Sequence, residues 1–261
     1  MLLQKKIVIV SGIGPGLGQK LSTLVAKEGA LVILAARTPE KLDVAESEIR
    51  ELGLGTETLK VPTDISDRAQ CKNLVDKTIE RFGRVDVLIN SAYSGGKIEP
   101  IETADLEDWR NTVNINLIGT MQLTQEVIPH MKKQKGGAIV MVNTMAVHKP
   151  MLYNGGYASS KAALKSAAAH LALEVGQFGI RVNSTFMGWM WGPNVASYVQ
   201  QAAHDRALSE EDIKDEIAQN IPLRHIPEDG DCAKAVVMLA SDYASEVTGA
   251  CLDVNGGDYI P

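Results

Sequence analysis

The chain has 261 residues, 45% of them hydrophobic and 5% aromatic, and a formal net charge of −6. This length fits one large α/β domain whose core can bury most of its apolar surface without disulfide staples. The acidic balance leaves no electrostatic footprint for nucleic acid or an anionic membrane, and no stretch nears the roughly 18 apolar residues of a membrane span.

Ile7 to Gly12 is an apolar, β-branched run closed by glycine, the pattern of a buried strand. A helix is predicted over Leu17 to Gly29 and a second buried strand over Leu31 to Arg37. Pro39 to Leu52 fits a helix, with Pro39 and Glu40 where helix starts favour them. The alternation continues with a strand near Thr58 to Val61, a helix from Asp67 to Phe82 and a strand from Val85 to Asn90. Leu106 to Lys133 reads as helical with a break near Asn116 to Gly119. Ala138 to Asn143 is another strand, Tyr153 to Phe178 a long alanine-rich helix, Ile180 to Thr185 a strand and Cys251 to Val254 the closing strand.

Strands that are apolar throughout and alternate with helices imply a parallel sheet covered on both faces. The predicted fold is an α/β, Rossmann-type doubly wound sheet of about seven strands with right-handed crossovers. No internal repeat or linker interrupts it, so residues 1–261 are expected to form a single dinucleotide-binding and catalytic domain. Gly188 to Gln219 follows a strand end, where such sheets bind ligands, and is predicted to be a helical substrate lid. Cys71, Cys232 and Cys251 are scattered without a CxxC pair, and the five histidines form no HxxxH or HxH cluster. Reduced thiols in a cytoplasmic protein and no metal site are the expectation.

Gly12, Gly14, Gly16 and Gly18 lie in SGIGPGLG, between the first strand and the first helix. Glycine lets the chain turn sharply and lets a pyrophosphate approach amides at a helix N-terminus, where the dipole favours negative charge. At the end of the second strand an acid would bond a ribose 2′-hydroxyl, whereas an arginine would accept a 2′-phosphate. The chain has Ala36-Arg37-Thr38 there, which favours NADP(H) over NAD(H), although Pro15 leaves the glycine turn without a second basic residue. Asp64, after the third strand, is placed either to accept from an adenine amino group or to cap the next helix.

Tyr157 and Lys161 stand at i and i+4 in YASSK, on one face of the predicted helix. An ammonium beside a phenol stabilises the phenolate and lowers the tyrosine pKa from about 10, making an acid/base suited to an alcohol oxygen.

The motifs SGIGPGLG, Asp64-Ile65, NSAY (Asn90 to Tyr93), VNINL with Asn116, VNT with Thr144, YASSK, IRVNS and DVNGG occur in this order. In order and spacing they resemble the short-chain dehydrogenase/reductase family over essentially the whole chain. The resemblance implies an oxidoreductase moving a hydride between a nicotinamide cofactor and a small-molecule secondary alcohol or ketone. It implies that Tyr157 is the acid/base, that Lys161 lowers its pKa and binds the nicotinamide ribose, and that Asn116 holds a relay water. Thr144, 13 residues before the tyrosine, stands where the family usually has serine and would orient the substrate oxygen. Cofactor contacts are implied for Gly12, Gly14, Gly16, Leu17, Gly18, Arg37, Asp64, Ile65, Asn90, Ala92, Gly188 and Met190, beside Tyr157 and Lys161. A homotetramer or homodimer is implied as well. Enoyl reductase relatives space their tyrosine and lysine more widely, and a non-catalytic dinucleotide sensor would not need Tyr157, Lys161, Asn116 and Thr144 together.

Three departures from the family stand out. Tyr93 replaces a glycine that usually lets the cofactor approach, so its side chain is expected to enter the substrate pocket or to pack. Met187-Gly188 replaces Pro-Gly, and Gly192 stands where a threonine often helps the nicotinamide amide. Trp189, Met190 and Trp191 at the root of the lid point to an apolar, bulky, cyclic or steroid-like substrate, or else pack the lid onto the domain.

Overall fold

A computed structural model describes residues 1–261. The strands β1 (Ile7–Ser11), β2 (Leu31–Ala36), β3 (Thr58–Pro62), β4 (Val87–Asn90), β5 (Gly137–Thr144), β6 (Ile180–Met187) and β7 (Cys251–Val254) form one sheet. All neighbours pair in parallel, in the order β3-β2-β1-β4-β5-β6-β7. The chain winds outward from β1 to β3 and then restarts on the other side of β1 at β4. That reversal opens a crevice at the carboxyl ends of β1 and β4.

Helices cover both faces. On one side α1 (Leu17–Lys27), α2 (Pro39–Glu51) and α9 (Asp229–Ala240) bury Leu21, Val25, Leu42, Ile49, Val236 and Val237 against Val8, Val10, Val32 and Leu34. On the other, α3 (Arg68–Phe82), α5 (Thr120–Gln134) and α6 (Gly155–Val175) bury Leu74, Leu123, Val127, Leu164 and Leu171 against Ile9, Ile33, Leu88 and Ile139. A fully buried Val, Leu or Ile contributes about 1.5–3 kcal/mol, so two apolar layers hold the sheet and explain its unbroken hydrophobic strands.

The boundaries differ from the sequence expectation for identifiable reasons. The helix expected from Tyr153 begins at Gly155, because Tyr153 takes φ +64, outside the helical region. A Cβ on Gly156 would lie 2.8 Å from the Trp109 ring, so the start of α6 seats directly on α4 (Leu106–Val113). The break expected near Asn116 to Gly119 is a π-helical turn, Asn114–Gly119, joining α4 to α5. Gly119 is needed there because a Cβ would meet the Ile65 carbonyl oxygen at 2.9 Å. β5 and β6 run on to Thr144 and Met187, which pair with each other in register. The helix α9 has no counterpart in the sequence reading; it buries Cys232, Ala233, Val236, Val237, Leu239 and Ala240.

Residues 188–219 are an excursion containing α7 (Pro193–Arg206) and α8 (Glu210–Gln219). Ser209 and Asp212 form a capping box at the start of α8. Val199, Ala203, Ile213, Ile217 and Ile221 make a small separate core between these helices.

Candidate active site

One cavity of about 910 Å³ lies over the carboxyl ends of the strands, and both the glycine turn and Tyr157 line it. Gly12 and Gly16 adopt φ +86 and +94. A Cβ on Gly12 would sit 2.3 Å from the Ala92 nitrogen, and one on Gly18 would sit 2.1 Å from the Gly12 carbonyl oxygen. Only glycine permits this packing of turn, β4 and helix. Gly16 caps α1 with no side-chain bond, and no acid stands in the first turn. The first amides of α1 are therefore open to an anion. Gly14 is freer, since a Cβ there meets only the Lys41 side chain at 3.8 Å.

Arg37 and Thr38 follow β2 and line the cavity, together with Lys41 from the first turn of α2. The second basic residue that the glycine turn lacks is thus supplied by α2. Sequence reading missed it, because Arg37 lies outside α2 and no helical spacing links it to Lys41. The α2 carboxylates Asp43 and Glu46 are occupied by Lys60 at 2.7 and 2.8 Å. Asp64 lines the cavity while its Oδ1 accepts from the Ser66 amide and hydroxyl at 2.9 and 2.7 Å. Helix α3 is capped by Asp67 instead. Leu17, Ile65, Ala92, Gly188 and Met190 also line the cavity. Gly188 is tightly confined, for a Cβ would lie 2.5 Å from that of Asn255. Asp229, overlooked in the sequence, lies 6% exposed in the same wall, its Oδ2 3.7 Å from where a Gly16 Cβ would be.

At the other end Thr144 closes β5 and Tyr157 stands on the first turns of α6. The Thr144 Oγ1 accepts from the Ala146 amide at 3.2 Å, and Thr144 lines the cavity together with Tyr157. Lys161, 3% exposed, donates from Nζ to the Val142 carbonyl at 2.8 Å. Asn143 pins α6 to β5, donating from Nδ2 to the Lys161 carbonyl at 3.1 Å. Burial raises the Tyr157 pKa above that of a free phenol, with nearby Tyr93 adding to the rise and the Thr144 hydroxyl opposing it. This direction is opposite to the lowering expected from the i, i+4 lysine. The reason is that both groups are desolvated and the ammonium turns to Val142, so burial pushes the Lys161 pKa down to about 8.

Four expected site residues do not line the cavity. Asn90 is buried beneath it and donates from Nδ2 to Thr124 Oγ1 at 3.1 Å and Met141 Sδ at 3.3 Å, so it holds β4 to α5. Asn116 is buried behind the wall, with Oδ1 accepting from the Ser94 amide at 2.7 Å. Its Nδ2 donates to the Ser94 carbonyl at 2.8 Å and Ser160 Oγ at 2.9 Å. That side chain is spent on protein partners, and Ser160 in turn donates to the Tyr157 carbonyl at 2.7 Å. Trp189 and Trp191 pack against the small α7–α8 core. Trp189 lies 5.3 Å from the Tyr198 ring, and Lys214 Nζ lies 4.6 Å from the Trp191 ring centre. The apolar face they offer is turned to the excursion and not to the cleft. Tyr93 does line the cavity, its ring 6.1 Å from that of Tyr157.

Comparison with known proteins agrees with this geometry. A family model described as enoyl-(acyl carrier protein) reductase matches residues 12–258. The 3-oxoacyl-[acyl-carrier-protein] reductase FabG of Thermotoga maritima is 32% identical, over 98% of this chain and 99% of its own. Levodione reductase of Leifsonia aquatica is 30% identical, over 97% of this chain and 93% of its own. A crystal structure of levodione reductase superposes with a TM-score of 0.91 at 29% identity, covering 98% of each chain. L-sorbose reductase from Gluconobacter frateurii, solved with NADPH and L-sorbose, gives a TM-score of 0.92 at 26% identity and the same 98% coverage of each. With the glycine turn, the Thr144–Tyr157–Lys161 cluster and these relatives in agreement, the chain belongs to the short-chain dehydrogenase/reductase family, NAD(P)-dependent oxidoreductases acting on CH–OH and C=O groups.

Proposed function

We propose that the protein is an NADP(H)-preferring oxidoreductase that interconverts a secondary alcohol and a ketone on a largely apolar, cyclic skeleton. The observation that carries this reading is a single cavity with Arg37 and Lys41 at one end and Thr144 and Tyr157 at the other. The chain's own residues fit a dinucleotide, since Gly12 and Gly18 let the turn, β4 and α1 pack backbone to backbone and α1 offers its first amides to the pyrophosphate. Arg37 and Lys41 are the groups for a 2′-phosphate, with Thr38 beside them as a hydroxyl partner. When bound, the nicotinamide supplies or accepts the hydride. Ile98, Ile115, Met187, Met190 and Val195 in the cavity wall support an apolar ring as substrate.

Thr144 holds the substrate oxygen within reach of Tyr157, whose hydroxyl donates its proton to that oxygen in reduction and recovers it in oxidation. A phenol pushed up by burial stays protonated at neutral pH, the state in which it gives its proton to a ketone oxygen. Lys161 holds a buried amine behind Tyr157, within one turn of α6. Asn116 acts as a positioning residue: through Ser160 it fixes the turn of α6 that carries Tyr157. Helices α7 and α8 serve as a lid. A homodimer or homotetramer belongs to the same reading, because Leu106, Trp109, Val113 and Ile118 line an open apolar groove across α4 and the turn that follows it. Sedimentation of the purified chain at two concentrations checks the assembly.

The decisive test is cofactor choice. Wild-type enzyme is expected to show higher kcat/KM with NADPH than with NADH, and Arg37→Asp combined with Lys41→Ala to lower that ratio by at least about tenfold, the equivalent of one lost charge-assisted bond. An unchanged ratio would mean that neither side chain meets a 2′-phosphate.

A further inference from the structure

The chemical end of the cavity carries hydrogen-bonding groups that the proton path through Thr144 and Tyr157 does not use. Asn154 lines the cavity just before α6, and its carboxamide makes no hydrogen bond within the chain, not even to cap the helix it precedes. Tyr93 lines the same cavity, its ring tilted 58° to that of Tyr157 with centroids 6.1 Å apart. Its oxygen accepts from Asn194 Nδ2 at 2.5 Å, which leaves the phenolic hydrogen free to donate. The same bond leaves Asn194 Oδ1 free to accept, and Asn194 is also a cavity residue.

These groups are positioned rather than loose. Tyr93 follows Ala92, whose backbone is pressed against Gly12, so the chain direction at Tyr93 is set by the glycine turn. The bond from Asn194 then ties the ring to the first turn of α7. Partial burial raises the Tyr93 pKa, so the phenol remains a donor at any working pH near neutrality. Trp189 and Trp191, the aromatic residues that would have made this end wholly apolar, face the α7–α8 core instead. A purely hydrocarbon substituent would strip water from Asn154, Tyr93 and Asn194 without replacing the lost bonds, a loss that polar groups resist.

We infer that the substrate carries a second oxygen function, a hydroxyl or a second carbonyl, which Tyr93, Asn154 and Asn194 recognise while Thr144 and Tyr157 hold the reacting oxygen. A hydroxyl suits the set best, because it can accept from the Tyr93 phenol and donate to a carboxamide oxygen at the same time. The inference rests on the alcohol/ketone reading above and adds to it the chemistry of the rest of the substrate.

The test uses the full chain with NADPH and four probes: cyclohexanone and its 2-, 3- and 4-hydroxy derivatives. Wild-type enzyme is expected to prefer at least one hydroxyketone over cyclohexanone in kcat/KM. Tyr93→Phe, Asn154→Ala and Asn194→Ala, made separately, are each expected to shrink that preference, with Tyr93→Phe reducing it about fivefold to tenfold, as one hydrogen bond allows. The dissociation constant of NADPH, read by fluorescence titration, is expected to stay within about a factor of two of wild type in all three. Equal preference for all four probes in the wild type, or variants that slow every probe alike, would overturn the inference and leave the ketone reading standing. Loss of NADPH affinity in proportion to activity would also overturn it, by assigning the three side chains to the cofactor. A wild-type enzyme that binds NADPH but reduces none of the probes, nor any wider panel of ketones, would instead remove the ketone reading, and the inference with it.

Discussion

The nucleotide end and the chemical end of the cleft are built by opposite means. At the first, the working feature is the absence of side chains: Gly12 and Gly18 let backbone pack against backbone, and α1 presents bare amides. The turn itself comes from one strand–turn–helix unit, to which the end of β2 and the start of α2 add Arg37 and Lys41. At the second, the working features are side chains from β5, α6, the loop after β4 and the start of α7, with Tyr93 and Asn194 bonded across 101 positions of sequence. A site made of backbone tolerates almost no added atom, whereas a site made of side chains tolerates new atoms but depends on burial to set its protonation states.

The largest expected effect tests whether the two ends are separable. Tyr157→Phe is expected to lower kcat/KM for ketone reduction by about 10²–10⁴-fold, the usual worth of a positioned acid, while NADPH titration gives a nearly unchanged dissociation constant. Loss of binding together with turnover would break the contrast. At the backbone end the matched pair is Gly12→Ala and Gly14→Ala. The first forces a Cβ to 2.3 Å from the Ala92 nitrogen at φ +86, and a fall of several kcal/mol in denaturant-measured stability is expected, with NADPH binding lost in parallel. The second meets nothing nearer than 3.8 Å, so its stability is expected within about 0.5 kcal/mol of wild type.

Trp189→Ala sharpens the assignment of the lid. Because the indole packs on Tyr198 and the α7–α8 core, the variant is expected to lose about 1–3 kcal/mol of stability and the amide-exchange protection of both helices. Activity on large and small ketones is expected to fall alike; selective loss of large substrates would return the indole to the substrate wall. The smallest effect is electrostatic. The Lys161 pKa is about 8 in the fold and about 10.4 in an unfolded chain, so between those values the unfolded state binds more protons. Wild-type stability therefore carries the cost of the buried ammonium below pH 8 and recovers it as pH rises toward 10. Lys161→Met, though inactive, is expected to melt higher than wild type at pH 7, by a margin that shrinks by pH 10 in thermal scans at both pH values.

Local patterns made much of this protein legible before any tertiary information. The alternation of apolar strands and helices, the glycine turn, and Tyr157 one turn from Lys161 all express constraints set within a few residues: strand and helix periods, the sterics of positive φ, and the face of a helix. What depends on which face meets which neighbour was not legible. Asn90 and Asn116 turn inward to Thr124, Ser94 and Ser160, because a buried amide donor must find an acceptor and the nearest ones lie behind the wall. The helix α9 was hidden because its buried face mixes Cys232, Ala233 and Ala240 with Val236, Val237 and Leu239, so its large apolar residues sit in one short run.

By itself, then, the chain determined a doubly wound sheet, a tight glycine turn and the pairing of Tyr157 with Lys161 one turn along a helix, since each is written in neighbouring residues. Tertiary packing alone decided that Lys41 joins Arg37, that the indoles pack on the α7–α8 core, and that burial raises the Tyr157 pKa despite a lysine one turn away. The physical reason is common to all three. Desolvation and contact are properties of the assembled surface, and no spacing along a chain specifies how deeply a side chain will be covered.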